Sequence, residues 1–329
     1  MHQTRNLFSK SLFAIMFGGI LITTSCKKEE PVDPRIQTFT AEELQPQASA
    51  ANSQVNPVLK EGLKLSVWGV DSLVFDPISI NITNEGDLYY TRTNRQKNSE
   101  FDIRGHQDWE IRSIGLQSIE DKRAFLHSEL SPERSEVNTW LADINGDGSH
   151  DWKDMTVEKE QIYKLKDTDG DGLADFLQLV VEDFNDEVTD VAGAVMMGED
   201  ALYVGAGPDM WRMVDKNGDG IMDEKTSISH GYGVHIGFGG HGMSGLEMGP
   251  DGRVYWGIGD IGFHGKGPDG KDWNYPNRGV IARANPDGSD FEIFAMGVRN
   301  THEFVFDAHT NLISADNDGD HAGEKERLV

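Results

Sequence analysis

The sequence predicts an all-β protein, a β-propeller carrying a small helical insertion. Glycine is abundant, 37 of 329 residues, and aromatic residues are ordinary at 9%. That balance suits turn-rich β structure better than a helical bundle. A strand phrase with an apolar or aromatic centre recurs after a turn: "GDLYYTRT" (86–93), "DALYVGAG" (200–207), "GRVYWGIGD" (252–260) and "TNLISADND" (310–318), the last three beginning 52 and 58 residues apart. Such a spacing is near that of one four-stranded propeller blade. A second phrase lies between copies of the first, in "QIYKLKD", "DMWRMVD" and "GVIARANPDG", each a short strand running into an Asp- or Gly-rich turn.

The N-terminus is an export signal. Arg5 and Lys10 precede the apolar run "SLFAIMFGGILI", which is too short to span a bilayer permanently. "TTSC" then ends at Cys26, the only cysteine in the chain. A signal peptide (1–26) closing on a lone cysteine resembles a bacterial lipoprotein signal, which implies lipidation of Cys26. The following "KKEE" resembles a tag for display on the outer face of the outer membrane. With one cysteine, no intrachain disulfide forms. Residues 27–58 are polar and aperiodic and read as a flexible tether. The propeller domain then runs from 59 to 329. Residues 94–160 interrupt its strand pattern. Here "EIRSIGLQSIEDKRAFLHSEL" reads as helical, and "SPERSEVNTWLADI" as a second helix with Pro132 in its first turn. The remainder accounts for about four blades of ~50 residues. "EKERLV" at the end begins another apolar strand, so the propeller is read as incomplete in this chain.

Four acidic loops punctuate the domain. "DINGDGSHDWKD" aligns Asp143, Asn145, Asp147, Asp151 and Asp154. "DTDGDGLAD" aligns Asp167, Asp169, Asp171 and Asp175, and "DKNGDGIMD" aligns Asp215, Asn217, Asp219 and Asp223. "DNDGDHAGE" aligns Asp316, Asp318, Asp320 and Glu324. Oxygen-bearing residues at alternating positions aim into one concavity, and a glycine at the sixth position of the first three loops allows a sharp bend. Hard oxygens in this number suit Ca²⁺, in a structural role that relieves the repulsion of crowded carboxylates. Asp-Gly and Asn-Gly also mark hairpin turns, but turn chemistry alone does not require the spaced acids.

The stretch "HIGFGGHGMSGLEMGPDGRVYWGIGDIGFH" (235–264) leaves backbone open to a flat ligand and places His235, His241 and His264 in or beside loops. Downstream, "GVRNTHEFVFD" sets Arg299 and Asn300 just before a strand. Arginine offers a planar fork for carboxylates, and histidine a base near neutral pH. "FDIRGHQDW" in the insertion, with Arg104, His106 and Asp108, reads either as a lid over such a site or as the glue that holds the insertion down. These motifs resemble the soluble quinoprotein sugar dehydrogenases, propellers that hold pyrroloquinoline quinone (PQQ) and calcium. More closely, the span from residue 59 resembles bacterial lipoproteins described as membrane-bound or sorbosone-dehydrogenase-like propellers, which often carry a cytochrome c domain. The resemblance implies that His241 is the base, that Arg299 and Asn300 contact the quinone, and that the Asp316–Asp320 loop holds a cofactor-associated calcium.

Two functional classes follow. One is a surface-anchored PQQ- and calcium-dependent dehydrogenase for a sugar or polyol, which needs a separate electron acceptor or a cytochrome c domain. The other is a calcium-stabilised, non-catalytic propeller that binds glycan or protein. The formal charge of −26 argues against nucleic acid as partner and leaves a lipid on Cys26 as the expected membrane contact. Replacing the acylated residue, Cys26→Ser, is expected to move the protein from the membrane to the soluble fraction. Unchanged fractionation would reject lipid anchoring at this residue.

Overall fold

The computed structural model describes residues 33–55, 57–95, 101–317, 322–323 and 325–329. Cys26 and the rest of the predicted signal lie outside the described residues, as do Asp318, Asp320 and Glu324. The described chain is mostly β, arranged in antiparallel sheets that follow one another in sequence. The first comprises β1 (Ile36–Thr38), β2 (Pro77–Ile82), β3 (Leu88–Arg92), β4 (Glu160–Lys166) and β5 (Phe176–Asp183), in the order β1-β5-β4-β3-β2. The second is β6 (Ala192–Met197), β7 (Leu202–Ala206), β8 (Asp209–Val214) and β9 (Glu224–His230), in chain order. In the third, β10 (Met243–Met248) and β11 (Val254–Ile258) are followed by a separate hairpin of β12 (Phe263–Lys266) and β13 (Asp272–Tyr275). The sheet then resumes with β14 (Gly279–Ala284) and β15 (Glu292–Val298). The fourth contains β16 (Thr301–Phe306), β17 (Leu312–Asp316) and β18 (Arg327–Leu328).

The two sequence phrases land in equivalent places. With β1 set aside as an addition at the edge of the first sheet, the first becomes β3, β7, β11 and β17, the second strand of each sheet, and the second becomes β4, β8 and β14, the third strand. Period-two alternation explains how the sheets pack. Along β7, Leu202, Val204 and Ala206 join Tyr89, Ile162 and Val181 of the first sheet. Tyr203, on the opposite face, joins Trp256, Val254 and Val280 of the third. Along β11 and β14, Tyr255 and Ile281 turn the other way and meet Phe304 of the fourth. The sheets therefore stack face to face in series, with β2 beside β6, β6 beside β10 and β10 beside β16.

The segment expected to be a tether is partly ordered. β1 pairs with β5, and helix α1 (Ala41–Gln54) buries Leu44 and Ala48 against Leu73, Tyr90, Leu165 and Leu177 of the first sheet and its approach. Thr40 and Glu43 start this helix with a reciprocal cap, the Glu43 carboxylate accepting from the Thr40 N–H at 2.8 Å. Between β3 and β4 the insertion forms α2 (Glu110–Ile114) and α3 (Ile119–Glu129), as the sequence suggested. The second expected helix is only a 3₁₀ segment, Pro132–Val137, closed at Asn138, whose side chain donates to the Glu129 carbonyl at 2.9 Å. Ile103, Trp109, Leu126, Leu130 and Met155 give the insertion its own core, which reaches Val188 and Ile236 of the sheet loops. Arg95 anchors its start. This fully buried side chain donates to the carbonyls of Phe184, Asp186 and Thr189 at 3.0–3.2 Å.

If residues 41–54 belong to the fold, Leu44→Ala should destabilise it by about 2–5 kcal/mol in urea unfolding. Val58→Ala, at a fully exposed position, should stay within about 0.5 kcal/mol of the parent. Equal stability of the two variants would return this segment to the status of a tether.

Candidate functional site

Strand alternation brings the loop before β10, the loop after β11 and the connection from β15 to β16 to one end of the third and fourth sheets. His241 lies in the first of these, Asp260 in the second, and Arg299 and Asn300 in the third. The Asp260 N–H donates to the Arg299 carbonyl at 2.7 Å, and the Gly259 N–H to the His241 carbonyl at 3.1 Å. A Cβ on Gly259 would lie 2.6 Å from the His241 carbonyl and 3.0 Å from that of Arg299, so a larger residue would push these segments apart.

His241 is 4% exposed. Its Nδ1 lies 2.7 Å from Asp260 Oδ1. A carboxylate only accepts, so Nδ1 donates to it, which in the neutral ring leaves the lone pair on Nε2. His302 is close by, 3.0 Å from the Asn300 amide nitrogen. Burial and then the neighbouring His241 hold the His302 imidazole below its ordinary pKa. Asn300 is 2% exposed, and its Oδ1 has no hydrogen-bond partner among the described residues. Arg299 Nη1 donates to Asn317 Oδ1 at 3.0 Å. Alongside runs a cleft of about 320 Å³, lined by Ile80 of β2, Gly193 of β6, Gly240, Gly242, Ser244 and His302.

The insertion docks on the same end. The Ile103 N–H donates to the Gly237 carbonyl at 2.9 Å, and Asp102 Oδ2 accepts from the Gly239 N–H at 3.0 Å. Ser113 Oγ donates to the Ile236 carbonyl and accepts from its N–H, both at 3.0 Å. The Arg104 side chain, and the Gly239 and Arg104 N–H groups, hold the Asp102 carboxyl well below the usual range. "FDIRGHQDW" is thus fastened to the loop that carries His241.

Two of the acidic loops stand apart from this cluster. Those at 167–175 and 215–223 join the third and fourth strands of successive sheets, at the end away from His241. Their internal bonding is the same. Asp167 and Asp215 accept from the N–H groups of Gly170 and Gly172, and of Gly218 and Gly220, at 2.7–2.9 Å. Asp169 and Asn217 accept from Asp171 and Asp219; those acids accept in turn from Leu173 and Ile221. Asp175 and Asp223 close the loops on the N–H groups of Thr168 and Lys216. Both oxygens of Asp167 and of Asp215 accept in this way, whereas Asp169, Asp171 and Asp219 each accept through Oδ1; ligand atoms of Asp167, Asp169 and Asp171 lie within 4.8 Å of one another.

The loop at 143–154 is similar over Asp143, Asn145 and Asp147, except that Asp143 accepts from the N–H groups of Asp147 and Gly148. In its second half Asp151 and Asp154 are buried. Ser149 Oγ and Asp151 Oδ2 have no hydrogen-bond partner, although Lys153 Nζ stands 3.7 Å from the latter. Asp154 is fully buried and accepts from the N–H groups of Ile144, Asn145 and Asp151. Asp316, 1% exposed, accepts from the backbone of Arg299 and Asn300 at 2.9 and 2.8 Å and from Arg327 at 2.6 Å. Its Oδ1 positions the Arg299–Asn300 turn, and its Oδ2 is the oxygen that meets Arg327.

A family described as a domain of unknown function, DUF7133, matches residues 49–327. The chain belongs to that family. No curated protein matches it. The DUF7133 match begins inside α1 and takes in the insertion, the acidic loops and the His241 end of the sheets.

Asp260 escaped the reading of the sequence, although "GIGD" ends the strand that pairs with the one after His241. Hairpin topology alone brings positions 241 and 260 to the same end. Glu160 was also missed. It is fully buried at the start of β4, with Oε1 accepting from Thr93 Oγ1 at 2.6 Å and Oε2 from the Ala192 N–H at 2.9 Å. Burial pushes its carboxyl from 4.5 up to about 7, against the opposing pull of these bonds and of Arg95. The folded state therefore binds this proton more tightly than the unfolded chain. Its contribution is full below the unfolded value and is lost as pH rises through about 7. Glu160→Gln should match the parent below pH ~4.5 and exceed it by roughly 3 kcal/mol above pH ~8 in urea unfolding. Parallel stability–pH curves for the two proteins would contradict this.

Proposed function

We propose that the stacked sheets are blades of a β-propeller, and that the loops around His241 form a PQQ-dependent dehydrogenase site for a sugar or polyol hydroxyl. Serial face-to-face packing with the first strands in contact supports the propeller. The observation that carries the chemistry is the His241–Asp260 pair, 2.7 Å apart, on the same loop cluster as Arg299 and Asn300. Asp260 fixes the tautomer and orientation of His241, leaving Nε2 to take the proton of a substrate hydroxyl. Asp260 also stabilises the imidazolium that results.

The residues fit a flat, polar cofactor. Asn300 Oδ1 is a buried acceptor without a partner, and Gly240 and Gly242 leave backbone open beside the cleft. Arg299 would hold the quinone's carboxylates, and Asn300 Oδ1 would accept from its ring N–H. When bound, PQQ supplies a two-electron acceptor for the substrate's hydride. The electrons must then pass to a separate acceptor, a cytochrome c being the class expected from the resemblance. We assign Ca²⁺ to the loops at 143–154, 167–175 and 215–223. The orphaned Ser149 Oγ and Asp151 Oδ2 support the first, and the convergence of Asp167, Asp169 and Asp171 supports the second. The third shares the bonding pattern of the second. A lipid on Cys26 would hold the domain at the outer face of the outer membrane.

Ca²⁺ that binds only the folded state stabilises it by about 2.7 kcal/mol per site at a hundredfold excess over Kd. EDTA should therefore lower the Tm by at least about 5 °C, and Ca²⁺ should restore it better than Mg²⁺. Identical melting in all three conditions would reject the calcium assignment.

The dehydrogenase reading is tested by reconstitution with PQQ and Ca²⁺, following quinone absorbance and dye reduction over sugars and polyols. His241→Gln should keep PQQ bound while turnover falls by ~10² or more. Arg299→Ala should weaken PQQ binding by about tenfold, having lost a charge-assisted contact. A folded protein that takes up no PQQ would leave the non-catalytic glycan- or protein-binding propeller in its place.

A further inference from the structure

Where the insertion meets the sheet loops there is a cavity of about 40 Å³ that the chemistry at His241 does not use. The insertion contributes Phe101, Lys122 and Met155 to its lining, and the sheet loops contribute Asp190, His235 and Phe238. Asp190 is 7% exposed and His235 8%. Asp190 Oδ1 accepts from the Val191 N–H at 2.9 Å, while Oδ2 is buried with no hydrogen-bond partner. His235 Nε2 is buried in the same condition. Burial holds the His235 imidazole below its ordinary pKa, and Asn277 and the Pro276 backbone accept from its protonated side. Nε2 is therefore a lone-pair acceptor.

Lys122, which also lines the cavity, donates to the Gly233 and Val188 carbonyls, and among the described residues neither Asp190 Oδ2 nor His235 Nε2 receives a hydrogen bond; two such acceptors in one cavity are rare in folded proteins. A carboxylate oxygen and an imidazole nitrogen together call for donor hydrogens, which a hydroxylated ligand supplies and an anion does not. A space of this size takes one or two hydroxyl groups, as the tip of a larger ligand. The cavity also adjoins His241. The Phe238 ring lies 5.4 Å from the His241 ring, centroid to centroid. A Cβ on Gly242 would come within 2.2 Å of Asp190 Oδ2, so this carboxylate lies directly against the backbone that follows His241.

We propose that Asp190 and His235 form a hydroxyl-recognition subsite, selecting substrates that carry a second hydroxyl beside the one deprotonated at His241. The selectivity rests on the dehydrogenase reading; the binding of a polyol does not. An analogue lacking the second hydroxyl would bury both acceptors unpaired, which is a strong basis for rejection.

The test uses the cofactor-free protein and two probes, erythritol and 1-butanol. The ¹⁵N resonance of His235 Nε2 should shift saturably with erythritol and not with 1-butanol. Asp190→Asn should weaken the erythritol response by about tenfold or more. Calorimetric titration of His235→Gln should show a similar loss, giving a second route should Asp190→Asn fold poorly. No saturable erythritol response, or equal affinity in either variant, would overturn the subsite. Erythritol binding without PQQ uptake would retain the subsite and remove the dehydrogenase reading. PQQ-dependent turnover with no preference for erythritol over 1-butanol would do the reverse for the selectivity.

Discussion

Leu202, Val204 and Ala206 face one neighbouring sheet, and Tyr203 between them faces another. A strand that is apolar on both faces cannot end a stack or meet water, so its sheet must lie between two others. The same holds for β11 and β14, which bury Val254, Trp256, Val280 and Ala282 on one side and Tyr255 and Ile281 on the other. Serial stacking then fixes which loops are neighbours. The starts of β6 and β10 come so close that a Cβ on Gly193 would lie 2.1 Å from the Met243 carbonyl. Asp190 owes its place beside Gly242 to this packing, whereas His241 and Asp260 meet through the β10–β11 hairpin.

Charge is managed separately at the two ends of the sheets. Away from His241, the acidic loops turn their carboxylates inward on their own N–H groups, which disperses part of the repulsion in a chain of formal charge −26. At the His241 end, buried polar side chains organise backbone. Arg95 gathers three carbonyls of the crossing from the first to the second sheet, and Asp316 gathers two N–H groups before β16. Removing one partner from such a set leaves groups that water cannot reach, which is far more damaging than losing an exposed ion pair. Arg95 and Asp316 are therefore positioning residues for everything that surrounds His241.

The strand phrases were legible because two-sided burial writes continuous apolar runs, and "LYVGA" is buried at every position. The acidic loops and the paired His241 and Arg299 segments were legible as motifs. Helix α1 was not, because "AEELQPQASAANSQ" contains Pro46 and offers little apolar surface beyond Leu44 and the alanines; tertiary contact with Tyr90 and Leu177 makes up the difference. Its capping pair, Thr40 and Glu43, was a signal that could have been used. The segment after Pro132 looked helical, yet its chain turns at Asn138, whose amide is taken by the Glu129 carbonyl. Asp190 and Glu160 carried no motif at all, since their roles depend on burial by segments distant in sequence.

The place of the insertion within the first sheet has a consequence for how that sheet assembles. β7 and β8 are joined by two residues, but β3 and β4 by the 67 residues between Arg92 and Glu160. Bringing the ends of the longer connection together costs about 3 kcal/mol more in chain entropy, at ~0.6 kcal/mol for each doubling of length. The second and third sheets, built largely from short hairpins, close without that penalty. The first sheet depends on contacts such as Arg95 to Thr189, 94 residues apart, to offset it. An insertion that fails to order, through loss of its core or of its acidic loop, would therefore unzip the molecule between β3 and β4, and would release the roof over Asp190 with it.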